Sequence, residues 1–220
     1  MIFLRYESFR GYLKAYPVTS ILIVLNLILF CGQALTNDRL TNQMLFMQWN
    51  HVAGYPDNPY GFQEPWRYVT SIFVHSGLQH LFFNMFALLV FAPPLERLIG
   101  TWRYLVLFIV SGIAGNLLSA VMFIVLLSAG MSDVNMNASL GASGAIYGVY
   151  GAYLFMALHR KGMMDEGSVK TIYMILGLGV ISMLFYSNIN WYAHLGGLIG
   201  GYLLYAAMDN KERYRRGRSR

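Results

Sequence analysis

Gly141-Ala142-Ser143-Gly144-Ala145-Ile146-Tyr147-Gly148, continuing without a charge to Leu158, is the stretch on which the fold turns. Small residues recur at Gly144, Gly148 and Ala152, a spacing that lets two helix backbones pack closely inside a membrane. The spacing returns at Ala193, Gly197 and Gly201, around His194. Such stripes serve packing in many membrane proteins, and a serine in a span often bonds its own backbone. An ionisable histidine inside a span is costlier and points to function. A serine hydroxyl is a poor nucleophile until a base takes its proton, and imidazole is the base suited to neutral pH. Ser143 and His194 are therefore expected to meet.

The rest of the chain places these residues in a bilayer. Of 220 residues, 56% are hydrophobic and 12% charged, against about 25% charged in a soluble domain. The apolar residues run in blocks long enough to approach or cross a hydrocarbon layer of roughly 30 Å. The single cysteine, Cys31, cannot form an internal disulfide and reads as buried, inert packing. Its setting does not suit a lipoprotein signal, and no cleavable signal peptide is expected. The net charge of +6 does not imply nucleic acid, because the basic residues cluster at span ends and in the tail from Lys211 to Arg220.

Six spans are expected: Val18 to Leu35, Leu78 to Ile99 (ending at Pro93-Pro94 and Glu96-Arg97), Tyr104 to Ser128, Ser143 to Leu158, Thr171 to Tyr186, and Trp191 to Met208. Residues 1–16 alternate apolar and charged positions and suit a short interfacial helix. Residues 17–208 form the six-helix domain, and residues 209–220 a basic tail. Of the sixteen Lys and Arg, all but Arg39 and Arg67 fall on one side of this arrangement. The positive-inside bias makes that side, with both termini, cytoplasmic. Ser143 and His194 then both lie near the outer ends of inward-running spans.

From Ser143 to His159 is only about 25 Å of helix, which sets Ser143 below the outer surface with Met131 to Ala142 dipping in to meet it. Irregular backbone at that depth requires surrounding protein or a water-filled cavity, and a hydrated pocket open to the outer face is expected. No Asp or Glu lies mid-span, so a buried third carboxylate is unavailable and the active unit would be a dyad. Tyr147 shares the helical face of Ser143 and can stack on His194. His80 and Asn84 share a face of the second span and can donate hydrogen bonds to a developing oxyanion. His75, five residues before His80, belongs to the loop or helix start. That spacing does not bring two metal ligands together, no third ligand is near, and no metal or other cofactor is expected.

These residues resemble the rhomboid family of intramembrane serine proteases, in its bacterial six-span form. The resemblance runs from Glu64 to Gly201 and rests on three motifs: His75-x4-His80-x3-Asn84, Gly141-Ala142-Ser143-Gly144 with Tyr147, and Ala193-His194-x2-Gly197-x3-Gly201. Trp66-Arg67 in the outer loop adds a further match. It implies an all-α membrane bundle with a long, partly embedded outer loop, Thr36 to Val74, between the first two spans. The loop's Phe46, Met47, Trp49, Tyr55, Tyr60, Phe62, Trp66 and Tyr68 suit an interface. The resemblance further implies Ser143 as nucleophile, His194 as general base, and an oxyanion site of His80, Asn84 and the Ser143 N–H. Gly141, Gly144, Gly197, His75, Trp66 and Arg67 would support them. Substrates would be single-span membrane proteins cut near the outer end of the span, after a small residue. The fifth span and the turn after it would form a lateral gate, and the bacterial cytoplasmic membrane would be the location. Rival readings are a non-catalytic rhomboid-like binder of membrane clients, which typically lacks the serine or the histidine, and a small transporter, whose midplane carboxylates and repeats are missing.

Overall fold

The computed structural model describes residues 2–4, 6–49, 61–130, 136–182, 185 and 189–209. Tyr55, Tyr60, Met131, Tyr186 and the basic tail from Lys211, all named above, lie outside the described residues.

The fold is mostly helical. A short helix α1 (Phe9–Ala15) leads into α2 (Pro17–Leu35), whose first position is the proline that suits a helix start. The outer segment follows with α3 (Arg39–Met44), strand β1 (Phe46–Trp49), a single turn α4 (Arg67–Thr70) and a 3-10 turn at Ser71–Phe73. Then come α5 (Leu78–Ile99), α6 (Thr101–Ser128), strand β2 (Met136–Ser139), α7 (Ser143–His159), α8 (Glu166–Ser182) and α9 (Trp191–Met208). Gly100, at φ +87°, closes α5 in the left-handed conformation that favours glycine and lets α6 start at once. Among the described residues, α2, α5 and α6 are long and apolar enough to cross a membrane.

The structure corrects the sequence reading in several places. The fold is not purely α-helical: β1 and β2 pair antiparallel, with Phe46 opposite Ser139 and Trp49 opposite Met136. Neither four-residue strand carries a periodic signal long enough to register. Pro93 and Pro94 do not end α5, which continues through them to Ile99. Helix α8 begins at Glu166, ahead of the expected Thr171, because Asp165 accepts hydrogen bonds from the Ser168 N–H (3.0 Å) and hydroxyl (2.6 Å). Those bonds, the hydroxyl first, hold the Asp165 carboxyl down at about 2. Cys31 is exposed on the outside of α2 rather than buried. Phe3 is not interfacial either; it turns inward, edge-on to Phe91 and Tyr153 at 5.0 and 5.3 Å.

Helix α7 is the centre of the bundle, apolar and buried on every side from Gly144 to Met156. It packs most extensively against α9 and α6. A Cβ on Gly197 would overlap the Gly144 carbonyl, and one on Gly201 the Gly148 backbone. The third contact on α7 is Gly151 against Leu198 and Tyr202, rather than Ala152. The outside of the bundle stays apolar, with Ile28, Phe82, Phe83, Phe86 and Leu117 all exposed. Of the long helices α8 is held least, with only Ser168 and Ile172 buried among its described residues.

One carboxylate organises the end of the bundle away from Ser143. Glu96 on α5 is buried and accepts from the N–H groups of Val18 and Thr19, each at 2.9 Å, and from the Thr19 hydroxyl at 2.7 Å. It thus satisfies the open N-terminus of α2 from a neighbouring helix. Glu96→Ala should leave those buried donors unpaired and destabilise the protein by on the order of 3 kcal/mol. Glu96→Gln, which keeps one acceptor oxygen, should lose less. Unfolding in detergent measures both, and an unchanged midpoint for the alanine variant would remove Glu96 from this role.

Candidate active site

The site is built where two helix starts meet. Gly141 lies at φ +112°, a conformation that disfavours a side chain, and its N–H donates to the Ser71 carbonyl at 2.8 Å. A Cβ there would also sit 2.5 Å from Cε1 of His80, so backbone and neighbour both demand glycine. The chain turns directly into α7, whose first residue is Ser143 and whose start carries no side-chain cap. The leading N–H groups of that turn are thus left open.

Helix α9 is capped by Asn190, whose side-chain oxygen accepts from the Ala193 N–H at 3.1 Å. The Asn190 amide donates to the Ser119 hydroxyl at 2.7 Å, which fixes α9 against α6. His194 is thereby carried in the first turn, aimed at α7. Its Nε2 lies 2.8 Å from the Ser143 hydroxyl. The Tyr147 ring stacks on the imidazole at 4.3 Å and 10°, and Trp191 meets it edge-on at 5.2 Å. His194 Nδ1 is buried with no hydrogen-bond partner among the described residues. Ring packing, not a carboxylate, therefore orients this imidazole.

His80 and Asn84 share the face of α5 that the spacing implied. The Asn84 amide donates to the His80 carbonyl at 2.9 Å, which engages one of its two N–H groups. His75 precedes the helix, buried, with its ring edge-on to His80 at 5.1 Å. Burial holds the His75 imidazole down at about 3, so it is neutral. Its backbone is gripped on both sides by Gln33 of α2: the His75 N–H donates to the Gln33 side-chain oxygen at 3.0 Å, and the Gln33 amide donates to the His75 carbonyl at 2.9 Å.

Trp66 and Arg67 make no hydrogen bond or ring contact with Ser143 or His194. Trp66 is exposed, whereas the buried Arg67 donates to the carbonyls of Asn42 (2.6 Å) and Leu45 (2.8 Å) and pairs with Glu64 at 2.7 Å. Its work is to hold the outer segment together. Gly144 and Gly197 serve the close approach of α7 to α9 described above.

Sequence reasoning missed a polar knot beside the site. The Asn137 amide donates to the Gln48 side-chain oxygen at 2.6 Å and to the Ser119 hydroxyl at 3.0 Å, and Ser119 receives Asn190 as well. One polar residue from each of β1, β2, α6 and the α9 cap is tied together, and no single stretch of sequence carries that signal. A cavity of about 580 Å³ lies beside it, with Ser119, Asn137, Tyr147, Gly179, Trp191 and His194 among its walls.

A paired hydroxyl and imidazole at a helix start beside a cavity is an arrangement able to perform acyl transfer. Residues 63–210 match the family model of the Rhomboid domain. The chain belongs to the rhomboid family. This rhomboid is 35% identical over 213 residues to the putative rhomboid protease YdcA of Bacillus subtilis, across 96% of this chain and 99% of that protein. It is also 35% identical over 145 residues to the rhomboid protease GluP of the same organism, across 66% of this chain but 26% of the relative. The mitochondrial RHOMBOID-like protein 6 of Arabidopsis thaliana is 32% identical over 151 residues, 64% of this rhomboid and 43% of that protein. With its apolar helices, this rhomboid is an integral membrane protein.

Proposed function

We propose that this rhomboid protease cleaves the transmembrane segments of single-span membrane proteins near the extracytoplasmic face, using Ser143 as nucleophile and His194 as general base. The observation that carries the reading is the 2.8 Å separation of the Ser143 hydroxyl and His194 Nε2. His194 Nε2 takes the hydroxyl proton as Ser143 Oγ attacks the scissile carbonyl carbon. The tetrahedral intermediate collapses, the peptide bond breaks, and the leaving amine takes the proton from the imidazolium. Water then attacks the acyl-enzyme, giving a proton to His194, which passes it to Ser143 Oγ as the acyl C–O bond breaks and the carboxylic product leaves.

Charge developing on the carbonyl oxygen falls at the uncapped start of α7, to be met by the Ser143 N–H, the free N–H of the Asn84 amide and His80. Tyr147 holds the imidazole face-on. Gly141, Gly144 and Gly197 allow the approach of backbones and ring, while His75, Trp66 and Arg67 support the site from the outer segment.

Counting α7, α8 and α9 as spans beside α2, α5 and α6 gives six. The distribution of Lys and Arg supports cytoplasmic termini, the exposed Phe62 and Trp66 support an outer segment partly set into the bilayer, and the likeness to a Bacillus subtilis protein over nearly its full length supports the bacterial cytoplasmic membrane. The loosely held α8, bordering the cavity, is the element best suited to admit a substrate from the side.

A serine-directed fluorophosphonate should label Ser143, and the purified enzyme should cut a reconstituted transmembrane substrate. A non-catalytic binder of membrane clients would do neither. Turnover should fall on the acid side of the pH profile, because a protonated imidazole cannot accept the serine proton. Turnover that stays constant down to the acid limit of the folded protein would contradict a histidine base.

A further inference from the structure

Ser76 has a role that its place before a helix does not explain. A serine at a helix start ordinarily caps the backbone, yet α5 takes Gly77 as its cap residue with no side-chain bond. The Ser76 hydroxyl lies instead 3.1 Å from Nδ1 of His80, and the Ser76 backbone N–H points at the same nitrogen from 3.5 Å.

We propose that Ser76 is a positioning residue for the hydrolysis: it fixes His80 in the tautomer that carries its proton on Nε2, the nitrogen turned toward the segment of the nucleophile. The inference rests on the reading of His80 as an oxyanion donor. Neutral imidazole has one donor and one acceptor nitrogen, and its neighbours decide which is which. A backbone N–H has no lone pair to offer, so the nitrogen it faces must be the acceptor. With Nδ1 accepting, the Ser76 hydroxyl donates to it as well, and the proton resides on Nε2. The opposite tautomer would set two N–H dipoles head to head.

The surroundings agree. A Cβ on Gly141 would lie 2.8 Å from His80 Nε2, so that edge of the ring rests on the backbone two residues before Ser143. His75, edge-on to His80, bonds through neither ring nitrogen among the described residues and offers nothing to a proton on Nδ1. Ser76 itself is set in place through its neighbour, since Gln33 grips the backbone of His75 at both its N–H and its carbonyl. A serine, not a carboxylate, thus selects the donor nitrogen, as hydrogen-bonded partners do for metal-ligating histidines.

The test is the ring nitrogen spectrum of His80 in full-length protein labelled with 15N-histidine, assigned by its loss in His80→Gln. Wild type should show an acceptor-type Nδ1 and a protonated Nε2. Ser76→Ala should raise the share of the Nδ1-protonated form and lower kcat by about 3- to 10-fold, the worth of one such hydrogen bond, with KM unchanged. Ser76→Thr, which keeps the hydroxyl, should restore both. Ser76 is exposed, and an unchanged unfolding midpoint will separate the effect from misfolding. A wild-type His80 protonated on Nδ1, or a Ser76→Ala variant with unaltered spectrum and kcat, overturns the proposal. If His80→Gln turns over normally, the oxyanion reading falls and takes this role with it. If His80→Gln is slow while Ser76→Ala is silent, only the role of Ser76 is lost.

Discussion

Ser143→Ala is expected to bring cleavage of a reconstituted transmembrane substrate to background, a loss on the order of 10⁴- to 10⁶-fold. His194→Ala should do the same. The double variant should be no worse than either single one, because nucleophile and base act as a unit. Ser143→Ala removes one hydrogen bond, 2.8 Å long, so its unfolding midpoint should move little, whereas His194→Ala also removes the ring packed between Tyr147 and Trp191 and should lower the midpoint further. Rates and midpoints measured together separate chemistry from folding. Near-normal turnover in either single variant would end the dyad assignment. Among the described residues no group bonds His194 Nδ1 that could take over.

Gly197→Leu should be nearly as damaging, by a different route. A side chain there would overlap the Gly144 carbonyl and force α9 away from α7. Ser143 and His194 belong to these two helices, so the displacement separates them directly. A misplacement of about 1 Å can cost roughly 10²-fold in rate, and overpacking a core of this density costs about 1–3 kcal/mol or more. Activity should therefore fall at least 100-fold together with a lower unfolding midpoint. Gly177→Ala is the internal control: nothing lies within 4 Å of a Cβ there, and a helical alanine is favoured over glycine by about 1 kcal/mol. If Gly197→Leu were as stable and active as wild type, the close packing of α7 on α9 would not be what aligns the dyad.

The sequence disclosed most where one residue type has one strong reason to be present. The bounds of α5 and α9 agree with the expected Leu78 to Ile99 and Trp191 to Met208 because Gly77, Gly100 and Asn190 punctuate long apolar runs. Ser143, Tyr147 and His194 were legible as partners because a hydroxyl, an aromatic ring and an imidazole amid glycines are poor choices for a lipid-facing helix. What stayed hidden depends on tertiary pairing. Glu96 reads as a span-end charge until α2 presents its open N–H groups to it. Gln33 reads as a polar blemish until the backbone of His75 arrives, and Phe3 as an interfacial aromatic until Phe91 and Tyr153 surround it. The two strands are four residues each, too short for alternation to rise above the surrounding pattern.

The ladder between those strands reaches close to Ser143. Its last rung joins Phe46 to Ser139, and only Leu140, Gly141 and Ala142 then separate the sheet from Ser143. Sliding one strand by a single residue would turn Asn137 away from Gln48 and Ser119. Adding or removing a residue between Ser139 and Ser143 would therefore shift the start of α7 against the sheet. A chimaera that exchanges α7 and β2 between relatives has to transplant Phe46–Trp49 along with them, as a matched pair of parts.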